Sequence, residues 1–464
     1  MKQDFLRIAR SKVFNRCAAL LLALAMSAPA ATAETSIPVN QFALDNGLRV
    51  IVVPDHRVPI VTHMVWYEIG GIDELPGEEG VAHFLEHMMF MGTETTAKGE
   101  FDRFIMSQGG AQNATTRHDS TVYYQRVPKP ALPRLMDLEA DRMVNLRINP
   151  EDAASERNVV MEEYRRQMTG ISTQSDLAEF RAAYDGHAYG RQLGGTKENI
   201  EALSAEKAMG FYKRNYRPER AIVVVAGDVT EDEVRHLAGE TFGRIPRSEG
   251  MEPRKLIKPQ PLAMNKRIID AHERASSVSL TRRYIINDTE TLSIRDVRAL
   301  QLFASVAGDS ITGTIHRQLV LKEAKASNAS CGFSLRLLSG EFSFSAVALP
   351  GVGADDLEES FDKAIATLAE NGISEEDFEL TKQRFLANQA YFRDNAYNLA
   401  DWFGDALVTG LATSDISNYE AEVTSLTHAD VNTIAKRVLG GSHYVTSLLV
   451  PKEKAAAAST TAVK

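Results

Sequence analysis

Cysteine is almost missing from this chain: 464 residues contain two, Cys17 and Cys331. Cys17 sits in an N-terminal segment that reads as removable, and the remaining thiol has no partner for an intrachain disulfide. Stability must then come from burial, which a chain this long can supply. Long apolar runs are missing too. The N-terminal run Cys17 to Met26, CAALLLALAM, is about half the roughly twenty residues of a bilayer-spanning helix. An excess of positive charge is also lacking. Lys and Arg number 52 against 62 Asp and Glu, a net charge of −10, which argues against nucleic acid and anionic membrane surfaces as partners.

The chain begins with a targeting pattern. Lys2, Arg7, Arg10, Lys12 and Arg16 precede the apolar run, and Ala31-Thr32-Ala33 fits a small-residue cleavage site. Residues 1–33 are therefore expected to be a signal peptide, and the mature protein periplasmic, with no membrane span after its removal. The rest is too long for one ordinary core. A proline- and charge-rich stretch from Arg244 to Lys266 reads as a linker. Asn46-Gly47 marks a hairpin in Gln41 to Val53. The chain after the linker resembles the chain before it. Ala275 to Ile286 matches the strand around Trp66, Arg298 to Gly308 matches a helix near residue 85, and Ser374-Glu375-Glu376-Asp377 matches Asn149-Pro150-Glu151-Asp152. The expectation is two similar α+β halves, 34–245 and 267–451, each a mostly antiparallel sheet packed with helices, joined by 246–266 into a half-clamshell. The Ala-rich residues 452–464 are expected to be a disordered tail.

The chemistry is concentrated in Gly80 to Thr93, GVAHFLEHMMFMGT. His83, Glu86 and His87 stand at i, i+3 and i+4 and share one face of a helix. Phe84, Leu85, Met88, Met89 and Phe90 would bury that helix. Two imidazoles one turn apart can share a metal ion, and a neighbouring carboxylate can act on a metal-bound water. A buried helix with two satisfied histidines would show the same pattern. Catalytic zinc takes three protein ligands and leaves a position for water, so another acid-bearing helix is required. Glu156 to Gln167, ERNVVMEEYRRQ, offers Glu156 and Glu163 on one face, while Glu162 points elsewhere. A solvated glutamate face would read the same way. His118 and His187 compete by residue type, but neither has a partner at ligand spacing.

H-x-x-E-H followed by E-R-x-V-V-x-x-E, with His87 and Glu163 seventy-six residues apart, resembles the pitrilysin/insulinase family of zinc peptidases. Its shorter members, the mitochondrial processing peptidase subunits and their bacterial relatives, are the most similar. Asn113 to Tyr124, NATTRHDSTVYY, and His187 to Gly195, HAYGRQLGG, also resemble family segments. The resemblance implies one zinc ion held by His83, His87 and Glu163, with Glu86 as the general base and Glu156 as the acid behind the ligands. It implies a zinc-bound water attacking the scissile carbonyl of an unfolded peptide inside an enclosed chamber. Asn113, Ala114, Thr115 and Phe90 are the implied substrate-binding residues, the strand 113–116 pairing with the peptide through main-chain hydrogen bonds.

The second half has lost these groups. Leu300, Phe303 and Ala304 stand opposite the motif, and Thr381 and Asn388 opposite the two glutamates. Family members that work alone carry in this half an arginine and a tyrosine that bind the substrate's carbonyl region. Here the corresponding positions are Val320 and Ser327, Arg317 is out of register, and no tyrosine occurs between Tyr284 and Tyr391. The resemblance therefore implies a heterodimer with a related subunit that supplies the missing pair, in preference to a homodimer. The alternative is a non-catalytic structural or chaperone-like subunit of the same fold.

Overall fold

The structure, a computed structural model, describes residues 36–452 apart from 251, 310 and 442. The expected signal peptide and all but the first residue of the expected tail lie outside the described residues. No helix among them is long and apolar enough to cross a membrane.

Two sheets organise the chain. In the first, β1 (Asn40–Ala43), β2 (Arg49–Pro54), β3 (Ile60–Tyr67), β4 (Ala111–Thr116), β5 (Thr121–Pro128) and β6 (Ala221–Gly227) lie in the order β1-β2-β6-β3-β5-β4. All pairs are antiparallel except β2 with β6. In the second, β7 (Lys266–His272), β8 (Ser279–Ile286), β9 (Ala326–Leu335), β10 (Gly340–Ala348) and β11 (Tyr444–Pro451) lie in the order β7-β11-β8-β10-β9. Again a single pair, β7 with β11, is parallel. Removing β1 from the first sheet makes the two orders identical. The two halves are thus one α+β design used twice. Strands β7 and β11 are absent from the sequence-based expectation. Lys266 to His272 is half-buried and carries little alternation, so nothing local separates it from the proline-rich stretch before it. Among the described residues of 246–265 there is neither helix nor strand.

Twelve helices among the described residues have eight residues or more: α1 (Val81–Met88), α2 (Glu100–Ser107), α3 (Leu132–Val144), α4 (Pro150–Met168), α5 (Ile171–Ala183), α6 (Ala205–Asn215), α7 (Glu231–Glu240), α8 (Ile294–Gly308), α9 (Ala354–Asn371), α10 (Glu375–Arg393), α11 (Ala396–Val408) and α12 (His428–Gly441). Helices α1 and α8 follow equivalent strands, and α4 and α10 are each 19 residues long. Asn149 and Ser374 cap those two by accepting the N–H of Asp152 and Asp377, the preferred chemistry for a free helix start.

The first sheet's inner face packs on α1, α3, α6 and α7 around Val65, Phe84, Leu85, Leu135 and Phe211. Its outer face is covered by α11, which comes from the second half: Leu399, Ala400 and Phe403 bury Met64, Trp66, Ile222 and Val224. The approach is so close that a Cβ on Gly404 would lie 2.1 Å from the Trp66 ring nitrogen. In return α5, from the first half, packs beside β11, and Tyr184 at its end joins Ile285 and Val445 in one cluster. Each half therefore lends a helix to the other.

Candidate metal centre and its cavity

Helix α1 begins at Gly80, whose φ of 89° is left-handed and whose missing Cβ would collide with the Gly194 carbonyl oxygen. Glycine is required there. The buried Glu74 carboxylate accepts the N–H groups of Gly80 and Ala82, both at 3.0 Å, and so caps the helix from outside it. Val81, Ala82, Phe84, Leu85 and Met88 are buried, which fixes the rotation of α1 and turns His83, Glu86 and His87 outward together.

Helix α4 crosses that face. One ligand atom from each of His83, His87 and Glu163 lies within 4.8 Å of the other two, the single such group among the described residues. Glu163 Oε2 is 3.7 Å from His83 Nε2 and 3.5 Å from His87 Nε2. Donors at zinc–ligand distances in a tetrahedron stand about 3.4 Å apart, so this set fits a zinc ion. Glu156 Oε2 lies 3.2 Å from His87 Nδ1. A proton on Nδ1 is donated to Glu156, and the Nε2 lone pair is left facing Glu163, as an outer carboxylate does for a metal-bound histidine. Burial, and next the neighbouring His87, push His83 down to about 4. Its ring is thus neutral and able to donate a lone pair at ordinary pH.

Glu86 shares the outward face of α1 but is not one of the three. Its Oε2 accepts the Thr116 hydroxyl at 2.5 Å. Burial raises its carboxyl, and the Thr116 bond works against that rise. Beside it lies a cavity of about 440 Å³ lined by His83, Glu86, Ala114, Thr115, Thr116 and Arg336, among others. β4 is the sheet's edge strand, bonded to β5 alone among the described strands, and such an edge is a template for another strand.

Ala114 and Thr115 line the cavity, and Asn113 is exposed on the same strand. Phe90 is not among the lining residues. It packs on Tyr123 and beneath the Arg142 guanidinium. His118 lines the cavity but bonds the Arg191 carbonyl at 3.3 Å through Nε2, and His187 is held by the Ile257 carbonyl and the Tyr189 N–H. Neither joins the metal set. Val320 and Ser327 carry no functional group toward this site. Ser327 bonds the Val347 carbonyl, and Arg317 is tied to Asp377.

Three contributors have no signal in the sequence. Glu74 accepts two N–H groups six and eight residues ahead, and Thr116 donates to Glu86 across 30 residues, bonds that no spacing announces. Arg336 comes from the turn between β9 and β10, so the second half does reach this cavity.

Comparison with known proteins finds peptidases. The family profile described as Insulinase (Peptidase family M16) matches residues 49–197, and Peptidase M16 inactive domain matches residues 202–385. Zinc protease PqqE of Helicobacter pylori is 26% identical over 424 residues, covering 90% of this chain and 94% of that protein. The probable mitochondrial-processing peptidase subunit beta of Schizosaccharomyces pombe is 32% identical over 218 residues, 46% of this chain and 47% of that one. A crystal structure of a protease from Helicobacter pylori superposes with a TM-score of 0.83 at 23% identity, covering 90% of this chain and all of that one. The periplasmic protease PqqL of Escherichia coli gives 0.77 at 18%, covering 92% of this chain and 49% of that longer one.

Proposed function

The chain belongs to the insulinase family of peptidases, and from that premise we propose that it is a zinc-dependent endopeptidase cutting extended peptides, with Glu86 as its general base. The observation that carries the reading is the convergence of His83, His87 and Glu163 beside a cavity walled by the sheet's edge strand β4. His83, His87 and Glu163 would hold the ion, and Glu156 would fix the orientation of His87. Zinc, when bound, lowers the pKa of a coordinated water to about 7 and polarises a carbonyl.

The remaining work falls to the protein. Glu86 takes the proton of the attacking water and returns it to the leaving amine. Thr116 holds the Glu86 carboxylate in place. Strand β4 binds the peptide main chain along Asn113 to Thr116 by strand addition, which is largely indifferent to side chains. The chain functions in the periplasm after export, the compartment named for PqqL.

It acts with a related subunit that brings the arginine and tyrosine absent at Val320 and Ser327. The twofold length of PqqL supports that arrangement, since one chain there spans what two copies of this length would.

The test is a zinc assay beside a peptide digest, on wild type and Glu86→Gln, with and without the related subunit. Zinc is expected in both proteins, and cleavage only with Glu86. Turnover loss should be at least about 10³-fold, near the upper range for general-base removal. The subunit should raise wild-type activity. Full activity in Glu86→Gln overturns the mechanism. Zinc-free, inactive wild type in the presence of the subunit points instead to a structural role.

A further inference from the structure

Arg336 is the charged group that the second half places in the cavity beside Glu86. Its turn is pinned to the first half. Leu337 N–H donates to Asp119 Oδ2 at 3.2 Å, and Leu338 N–H to the Tyr189 hydroxyl at 3.2 Å. Tyr189 itself donates to Asp119 at 2.6 Å. The guanidinium is fixed as well. Nε donates to Glu341, Nη1 lies 3.4 Å from His118 Nδ1, and the group sits 5.0 Å over the Tyr189 ring. Nη2 has no partner among the described residues, and 21% of the side chain remains exposed. The guanidinium is thus held at the cavity wall by Nε and Nη1, with Nη2 uncommitted.

The surrounding charge says what it binds. Glu341 is shared with Arg283 at 2.9 Å and with the Tyr184 hydroxyl at 2.7 Å, and Arg283 also meets Glu179 at 2.9 Å. Asp176, Glu86 and Arg191 face the same cavity. Positive charge is matched by negative, so no surplus draws in a carboxylate. A neutral acceptor suits Nη2, and every peptide carries one per residue. Along a strand added to β4, successive carbonyls point alternately toward β4 and away from it. Those pointing away lose water on entering the cavity and need a donor.

We propose that Arg336 is a substrate-binding residue supplied by the second half, donating Nη2–H to a main-chain carbonyl of a peptide paired with β4. It rests on the peptidase reading above and adds a residue to it.

The experiment measures binding of an unstructured fluorescent peptide to the zinc-loaded Glu86→Gln protein, which separates recognition from turnover. Adding Arg336→Gln should raise Kd about tenfold or more, the cost of losing a charge-assisted hydrogen bond. Adding Glu341→Gln breaks the same ion pair but keeps the donor, and should raise Kd less than about threefold by the same reasoning. Methylguanidinium should restore binding to Arg336→Ala, which a merely structural arginine would not allow. An unchanged Kd in Arg336→Gln overturns the inference. So do equal Kd rises in Arg336→Gln and Glu341→Gln with equal losses of Tm. If the parent protein binds no peptide, either alone or with the related subunit, the peptidase reading fails and this inference with it. If the parent binds and Arg336→Gln binds equally, only the inference fails.

Discussion

The two halves contain the same cleft twice. In the first, α1, α4 and β4 surround His83, Glu86, His87, Glu156 and Glu163. In the second, α8, α10 and β9 surround the corresponding Leu300, Phe303, Ala304, Thr381 and Asn388. Ala304, Thr381 and Asn388 line a cavity of about 520 Å³, so the hollow is preserved where the chemistry is not. Leu300 and Phe303 are buried, and the Phe303 ring lies tilted against Phe342 with centroids 5.2 Å apart. The difference teaches that the backbone supplies a cleft and five side chains decide its use. It also shows a cost. The first cleft holds a neutral His83 and partly desolvated carboxylates that only a metal and hydrogen bonds make worthwhile, while in the second Leu300 and Phe303 pack as hydrocarbon.

Grafting the second cleft onto the first gives the largest expected effect. His83→Leu, which installs the residue found at 300, should weaken zinc binding by more than the roughly 10- to 100-fold that loss of an outer hydrogen-bond partner costs. Competition with a chelating dye measures it. Zinc retained at wild-type affinity would break the comparison. Glu156→Thr, the residue at 381, should weaken zinc by about 10- to 100-fold while leaving all three ligands in place. No change would mean that Glu156 is merely a neighbour of His87.

The exchange of helices offers a third test. Gly404→Ala forces a Cβ into the Trp66 ring and should cost about 1–3 kcal/mol, as overpacking does. Thermal unfolding should show one transition moved down. Two separated transitions would show that the halves are less coupled than the lent helices imply.

The smallest effect is one of pH. His83 titrates lower in the fold, at about 4, than its ordinary 6.5. A depressed pKa contributes stability that is present above 6.5 and lost as pH falls from there through 4. With about a fifth of the ring exposed, the loss in metal-free protein should be ~1–3 kcal/mol. His83→Leu should flatten that part of the stability profile, as Leu300 does in the other half. An equal slope in both proteins would assign the loss to other groups.

What the sequence determined by itself was whatever depends on positions near each other along the chain. The i, i+3, i+4 spacing puts His83, Glu86 and His87 on one face because a helix turns every 3.6 residues. Buried Phe84, Leu85 and Met88 orient that face. Asn149 and Ser374 mark two helix starts, and the order of elements exposes the repeat. The choice of Glu163 over Glu156 as the inner carboxylate came from family resemblance, since both occupy one face of α4 and only the approach of α4 to α1 separates them. Tertiary structure alone decided the rest. Thr116 reaches Glu86 across 30 residues, α11 covers Trp66 from the other half, and Arg336 enters the cavity from a turn 250 residues after the base. These contacts leave no period or motif, because their partners are chosen by the packing of whole sheets and helices and not by the covalent neighbourhood of either residue.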